Sequence, residues 1–117
     1  MRVERSKLHN KHSHHKFIKL IFLSFFMKKA VRLYITGTMQ GIFFRQFIKT
    51  HADENNVKGF LRIREDGKVE VFLEGDSESV NKVVSICRRG PKYAQIRNVE
   101  EKEERLQDFK EFKILNF

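Results

Sequence analysis

The nine residues Gly37-Thr38-Met39-Gln40-Gly41-Ile42-Phe43-Phe44-Arg45 hold the residue types that a small-anion site needs. Two glycines four apart allow backbone conformations that turn successive N–H groups to one side. If a helix begins inside this stretch, its first N–H groups lack intrahelical partners and carry partial positive charge, which suits a phosphate. Arg45 then stands in the first turn, where a planar guanidinium can close the site with two parallel hydrogen bonds. A glycine loop beside a solvated arginine uses the same residues. Loop chemistry alone does not separate the two readings.

The other residues with chemical potential read more simply. His9, His12, His14 and His15 have no neighbouring Cys or carboxylate and no regular spacing, so they read as a solvated His-rich tail rather than a metal site. His51 falls late in a predicted helix and is expected to be partly buried or on the surface. Cys87 lies on an apolar helical face and reads as a small buried hydrophobe. As the only Cys, it excludes a disulfide framework and a Cys-based zinc cluster. The run Glu100-Glu101-Lys102-Glu103-Glu104 reads as a solvated strand end or loop.

The elements that must position the loop follow from periodicity. Val31, Leu33 and Ile35 alternate with polar residues, giving a half-buried strand. The pairs Phe43/Phe47, Phe44/Ile48 and Ile48/Ala52 are four apart, which predicts a helix from Phe43 to about Asn55, closed by Asn55-Asn56. A second strand follows at Gly59–Ile63. Its alternation turns Gly59, Leu61 and Ile63 toward the helices and Phe60, Arg62 and Arg64 away. Glu65-Asp66-Gly67 predicts a hairpin turn, and Val69, Val71 and Leu73 the inward face of a third strand. Val80, Val83, Val84 and Cys87 mark a second helix, with Asp76 as its N-cap and Gly90-Pro91 as its stop. A fourth strand is expected from Tyr93 to about Glu103, with Ala94, Ile96 and Asn98 on one face. A short closing strand is expected within 112–117. The order βαββαβ, with two helices on one face of an antiparallel sheet, is the ferredoxin-like α+β arrangement.

The chain of 117 residues suffices for one domain, and its 40% apolar and 33% charged residues fit a folded, soluble composition. The net charge of +9 suggests an anionic partner until it is located along the chain. Residues 1–27 carry six Lys or Arg and one Glu, so just over half the excess sits in the first quarter. That segment is basic, then His-rich, then apolar from Phe17 to Phe26, and the apolar run is interrupted by Lys19 and Ser24. A spanning helix needs about 20 apolar residues, so the run is too short. It resembles a secretory signal, or a membrane-surface anchor at 17–26, but bulky and basic residues stand where a cleavage site is needed. Met27-Lys28-Lys29-Ala30 leads straight into the first strand, as the start of a compact protein does. Residues 1–27 are therefore read as an extension, a disordered tail or a gene-model artefact, and 28–117 as the domain.

At three places the sequence resembles the acylphosphatases. Their pattern G-x-V-Q-G-V-x-F-R is matched by residues 37–45, with Met39 and Ile42 as conservative departures. Their segment G-W-V-x-N, three residues, G-x-V-x-V is matched by Gly59-Phe60-Leu61-Arg62-Ile63 and Gly67-Lys68-Val69-Glu70-Val71. Gly90-Pro91 followed by Ala94 and Ile96 is a weaker third match. The resemblance spans about residues 28–117.

The resemblance implies hydrolysis of acyl phosphates to a carboxylate and inorganic phosphate, with no metal, no cofactor and no covalent intermediate. It implies that the backbone N–H groups of Gln40, Gly41, Ile42, Phe43, Phe44 and Arg45 cradle the phosphoryl oxygens. Arg45 would also hold them through its side chain and stabilise developing charge. The family's Asn, which orients the attacking water, falls at Ile63, a side chain with no donor or acceptor. The enzyme would then be slow. A non-catalytic domain that captures phosphate or a phosphorylated ligand is the alternative. A third reading, an RNA-binding domain using Phe60 or Phe72, is weakened by the third strand, which lacks a base-stacking signature and carries Glu70 and Glu74. A small-molecule acyl phosphate is the expected partner, in a cytoplasmic monomer.

Overall fold

The computed structural model describes residues 27–38 and 41–115. The expectations for residues 1–26, including the His-rich tail and the 17–26 anchor, lie outside the described residues. The elements run β1 (Lys28–Thr38), α1 (Gly41–Glu54), β2 (Lys58–Ile63), β3 (Val69–Asp76), α2 (Ser77–Arg89), β4 (Gln95–Glu104) and β5 (Phe112–Ile114). The strands form one sheet in the order β4-β1-β3-β2-β5, with both helices packed on one face. This is the expected ferredoxin-like fold.

The sheet is mixed rather than wholly antiparallel, because β5 pairs with β2 in parallel. The reason lies in the route of the chain. It leaves β4 at the end where β1 begins, crosses laterally through residues 105–111, and enters β5 beside the start of β2. With no reversal along the strand direction, β5 runs the same way as β2.

The core is the expected alternation made solid. Val31, Leu33 and Ile35 of β1, Leu61 of β2, and Val69, Val71 and Leu73 of β3 point to the helix side. Phe44, Ile48 and Ala52 of α1 and Val80, Val83, Val84 and Cys87 of α2 close over them, with Phe112 at the edge. Cys87 is fully buried, and burial pushes its thiol up to about 12, which leaves it an inert hydrophobe.

Three local expectations change. Helix α1 begins at Gly41, two residues earlier than the apolar spacing shows, because the first turn is solvated and carries no apolar periodicity. Asp76 precedes α2 but does not cap it; its carboxylate is held by Lys28 Nζ at 2.6 Å instead. In β4 the inward residues are Ile96 and Val99, not Ile96 and Asn98. A bulge opposite Thr36/Gly37 inserts one extra residue in β4 and flips the alternation. As expected, the acidic run 100–104 is the solvated end of β4, where Glu101 pairs with Arg88 at 2.8 Å and Glu104 with Arg32 at 3.0 Å.

The face away from the helices is covered as well. Phe60 stacks on Phe72 at 5.8 Å between centroids, and Phe109 packs edge-on to Phe60 at 5.7 Å. Arg32 lies 5.1 Å over the Phe72 ring and bonds both Glu70 and Glu104. Arg62 holds the other side of Glu70 at 2.8 Å. The Glu74 carboxylate accepts the N–H groups of Gln107 at 2.7 Å and Phe109 at 2.5 Å. Glu70 and Glu74 are thus buried and satisfied, and Phe72 is sealed from solvent. No aromatic platform is left there for a base, so the RNA-binding reading loses its footing for this physical reason rather than through exposed acids.

Candidate active site

The end of β1 and the start of α1 lie at the sheet end where β2 also finishes. Met39 and Gln40 are outside the described residues, so the Gln40 assignment is not carried by the geometry. From Gly41 onward the site is built by the helix. Phe44, Ile48 and Ala52 anchor one face of α1 in the core and thereby set its rotation. Arg45 follows Gly41 by four residues, so the two share a face, and a helical side chain leans toward the N-terminus of its helix. The Arg45 Nη2 accordingly reaches 3.6 Å from the point a Cβ on Gly41 would occupy. Arg45 is half-buried, and its Nε is shielded from solvent.

Ile63, the last residue of β2, arrives at the same point from the sheet. Its Cδ1 lies 3.7 Å from that Cβ position. The side chain also packs on the core, as the alternation of β2 requires. Gly41 therefore keeps open the space between a guanidinium and an apolar side chain. A methyl there meets only ordinary van der Waals distances, so the glycine is not demanded by crowding. What it preserves is room.

Gly37 does something else. It lies within β1 against the bulge of β4, and a Cβ on it would overlap the carbonyl oxygen of Gln95. Its role is close strand approach rather than a turned N–H group. Any backbone donors offered to a ligand here lie at the helix start rather than at Gly37. A helix beginning at Gly41 leaves the N–H groups of Gly41, Ile42 and Phe43 without intrahelical acceptors, while those of Phe44 and Arg45 enter the helix ladder. Ile42 and Phe43 point their side chains into solvent. No acidic residue stands in this first turn to compete with an anion.

Other candidates stay away. His51 sits ten residues along α1, about 15 Å from Gly41 at the helical rise. Its ring packs against Phe47 at 4.7 Å, 3.7 Å from Glu54. Asn55 donates to the His51 carbonyl at 2.8 Å, at the far end of the helix. Asn56 occupies the left-handed turn that follows, and Asn98 is exposed on the edge strand β4. None replaces an amide at position 63. Among the described residues no group of three or more His, Cys, Asp or Glu is placed to hold a metal.

Comparison with known proteins meets this geometry. The family model described as Acylphosphatase matches residues 31–114. The chain belongs to the acylphosphatase family. An acylphosphatase of Pyrobaculum aerophilum is 47% identical over 85 residues, covering 71% of this chain and 90% of that protein. One from Syntrophus aciditrophicus is 37% identical over 90 residues, covering 76% of this chain and 94% of that protein. The crystal structure of the Bacillus subtilis acylphosphatase superposes with a TM-score of 0.71 at 27% identity, covering 77% of this chain and all of that one. The matched residues 31–114 include both Arg45 and Ile63.

Proposed function

We propose that this chain hydrolyses acyl phosphates to a carboxylate and inorganic phosphate, slowly, with Arg45 and the first-turn N–H groups of α1 as the phosphoryl cradle. The observation that supports this most directly is the convergence of Arg45 and Ile63 on the open space above Gly41. A phosphoryl group lodged there accepts hydrogen bonds from the N–H groups of Gly41, Ile42 and Phe43, with Gln40 completing the loop. Arg45 adds a charge-assisted pair and stabilises the charge that builds on the phosphoryl oxygens as the carboxylate departs. Water attacks phosphorus in line with the departing oxygen. Ile63 contributes an apolar wall on that space and neither accepts nor donates a hydrogen bond, so the attacking water is not held.

That same absence favours a second reading, a phosphate-binding domain without turnover. Phosphate release from benzoyl phosphate by the purified protein decides between them. Release above the solution background supports the enzyme. Phosphate binding without release supports the second reading, and neither binding nor release overturns both.

We further infer a monomeric domain of residues 28–117 acting on a small molecule in the cytoplasm, with 1–27 as an appended segment. The single, fully buried Cys87, which forms no disulfide, supports the cytoplasmic part of this reading. Light scattering on the purified chain checks the monomer.

A further inference from the structure

We propose that the acyl half of the substrate is an apolar group, aryl or extended alkyl, received by a rim made of Ile42, Phe43 and Tyr93. This rests on the phosphoryl cradle proposed above and adds the class of substrate that the cradle serves.

The described residues leave five large hydrophobic side chains exposed: Met27, Ile42, Phe43, Tyr93 and Leu106. Met27 and Leu106 lie at the end of the sheet where β1 begins and β4 finishes. Ile42, Phe43 and Tyr93 lie at the opposite end, and they are the more exposed three, at 70%, 67% and 84%. Tyr93 belongs to the turn that joins α2 to β4, and the first residue of β4, Gln95, pairs with Thr38 at the end of β1. The topology therefore brings Tyr93 to the same end as the start of α1. Phe43 and Tyr93 line one apolar notch with Phe44, Pro91 and Ala94, of about 30 Å³. That volume accommodates no more than a water-sized group, so the surface is a shelf rather than a pocket.

The chemistry of the substrate says what the shelf is for. An acyl phosphate offers three non-bridging oxygens to the cradle, and its fourth oxygen carries the acyl group. With the N–H groups of Ile42 and Phe43 facing the phosphoryl oxygens, their side chains form the rim over which the acyl group leaves. Exposed apolar side chains gathered beside a binding cleft mark a contact surface more often than a solvated one. The charged side chain nearest in sequence to this shelf is the exposed Lys92.

Calorimetric titration of the full chain tests this without requiring turnover. The probes are inorganic phosphate, acetonylphosphonate, phenacylphosphonate and a phosphonate analogue ending in a carboxylate. Phenacylphosphonate is expected to bind about tenfold tighter than acetonylphosphonate, as partial burial of one ring provides. Tyr93→Ala should bring that ratio close to one, and Tyr93→Phe should keep it. Tyr93 is so exposed that neither change threatens folding, which a thermal melt verifies. Equal binding of the two ketophosphonates, or a ratio untouched by Tyr93→Ala, overturns the rim. Tightest binding of the carboxylate analogue overturns it in favour of Lys92. Inorganic phosphate reports the cradle alone, so phosphate binding without aryl preference refutes only the rim, and loss of phosphate binding refutes both.

Discussion

The Nη2 of Arg45 and the Cδ1 of Ile63 meet the same point, the place a Cβ on Gly41 would take, at 3.6 and 3.7 Å. One side chain is a permanent cation with paired donors and the other a hydrocarbon. The helix supplies the first by its four-residue repeat and the sheet supplies the second by its two-residue repeat. The space between them is bounded by a charged fork on one side and hydrocarbon on the other, and the proposed phosphoryl cradle rests on that asymmetry.

Arg45→Ala should weaken inorganic phosphate binding by about 2–4 kcal/mol, the usual loss for a charge-assisted contact to a shielded anion. Arg45→Lys should recover part of it, because a point charge replaces a planar fork. Calorimetry with phosphate measures both. An alanine variant that binds phosphate as the native chain does would remove the cradle assignment.

Arg32 is expected to matter for stability rather than chemistry. It bonds Glu70, which is buried, and Glu104, which is partly buried. Burial pushes the Arg32 guanidinium down, but the hydrogen bonds and charges of Glu104 and Glu70 outweigh it and raise it. The hydrogen bond from Arg32 holds Glu104 below the usual carboxylate range. A depressed carboxylate stabilises the fold above its unfolded pKa, and that contribution is lost as pH falls through the folded value. Arg32→Leu should therefore lower the melting temperature at pH 7 and lower it less at pH 3. Equal losses at the two pH values would mean that packing on Phe72, not charge, carries the effect.

Much of this was legible in the residues because the relevant periods are short. Leu61 and Ile63 had to share a face in β2, and Phe44 and Ile48 in α1, so the placement of Ile63 on the helix side followed from alternation. What escaped depended on contacts between distant segments. The bulge that turns Val99 inward, with Asn98 left exposed, is set by how β4 meets Gly37, and no local pattern encodes it. The burial of Glu70 depends on Arg32, 38 residues away. The parallel entry of β5 depends on where residues 105–111 cross. At the site, the two-residue error in the start of α1 arose because Ile42 and Phe43 are apolar yet exposed, so hydrophobic spacing misplaced the first turn.

Residues 31–114 carry the whole family match, and Met27, the first of the described residues, is tied to the fold, its carbonyl accepting the Ser77 N–H at 2.9 Å. A chain beginning at Met27 should keep that bond and the Lys28–Asp76 pair. Its melting temperature should match that of the full chain within about 2 °C, since one kcal/mol shifts a domain of this size by roughly 4–8 °C. A loss of several kcal/mol on truncation would show that the Phe17–Phe26 run packs on the domain and would end its description as an appendage.

Restoring an amide at position 63 tests whether water positioning is what the site lacks. Ile63→Asn places a donor and an acceptor on the space that Arg45 and Gly41 frame, on a side chain of similar length. Misplacing a reactant costs about 10²-fold in rate, so the variant should release phosphate from benzoyl phosphate roughly that much faster. Phosphate affinity should change little, because Arg45 and the helix start carry binding. A rise in kcat at constant phosphate inhibition is thus the expected signature. The half-buried Ile63 packs on the core, so the exchange should also lower stability by about 1–2 kcal/mol, read by thermal melt. A native chain that already turns over as fast as the folded Asn variant would show that Ile63 is no lesion and that another group, or the substrate itself, holds the water.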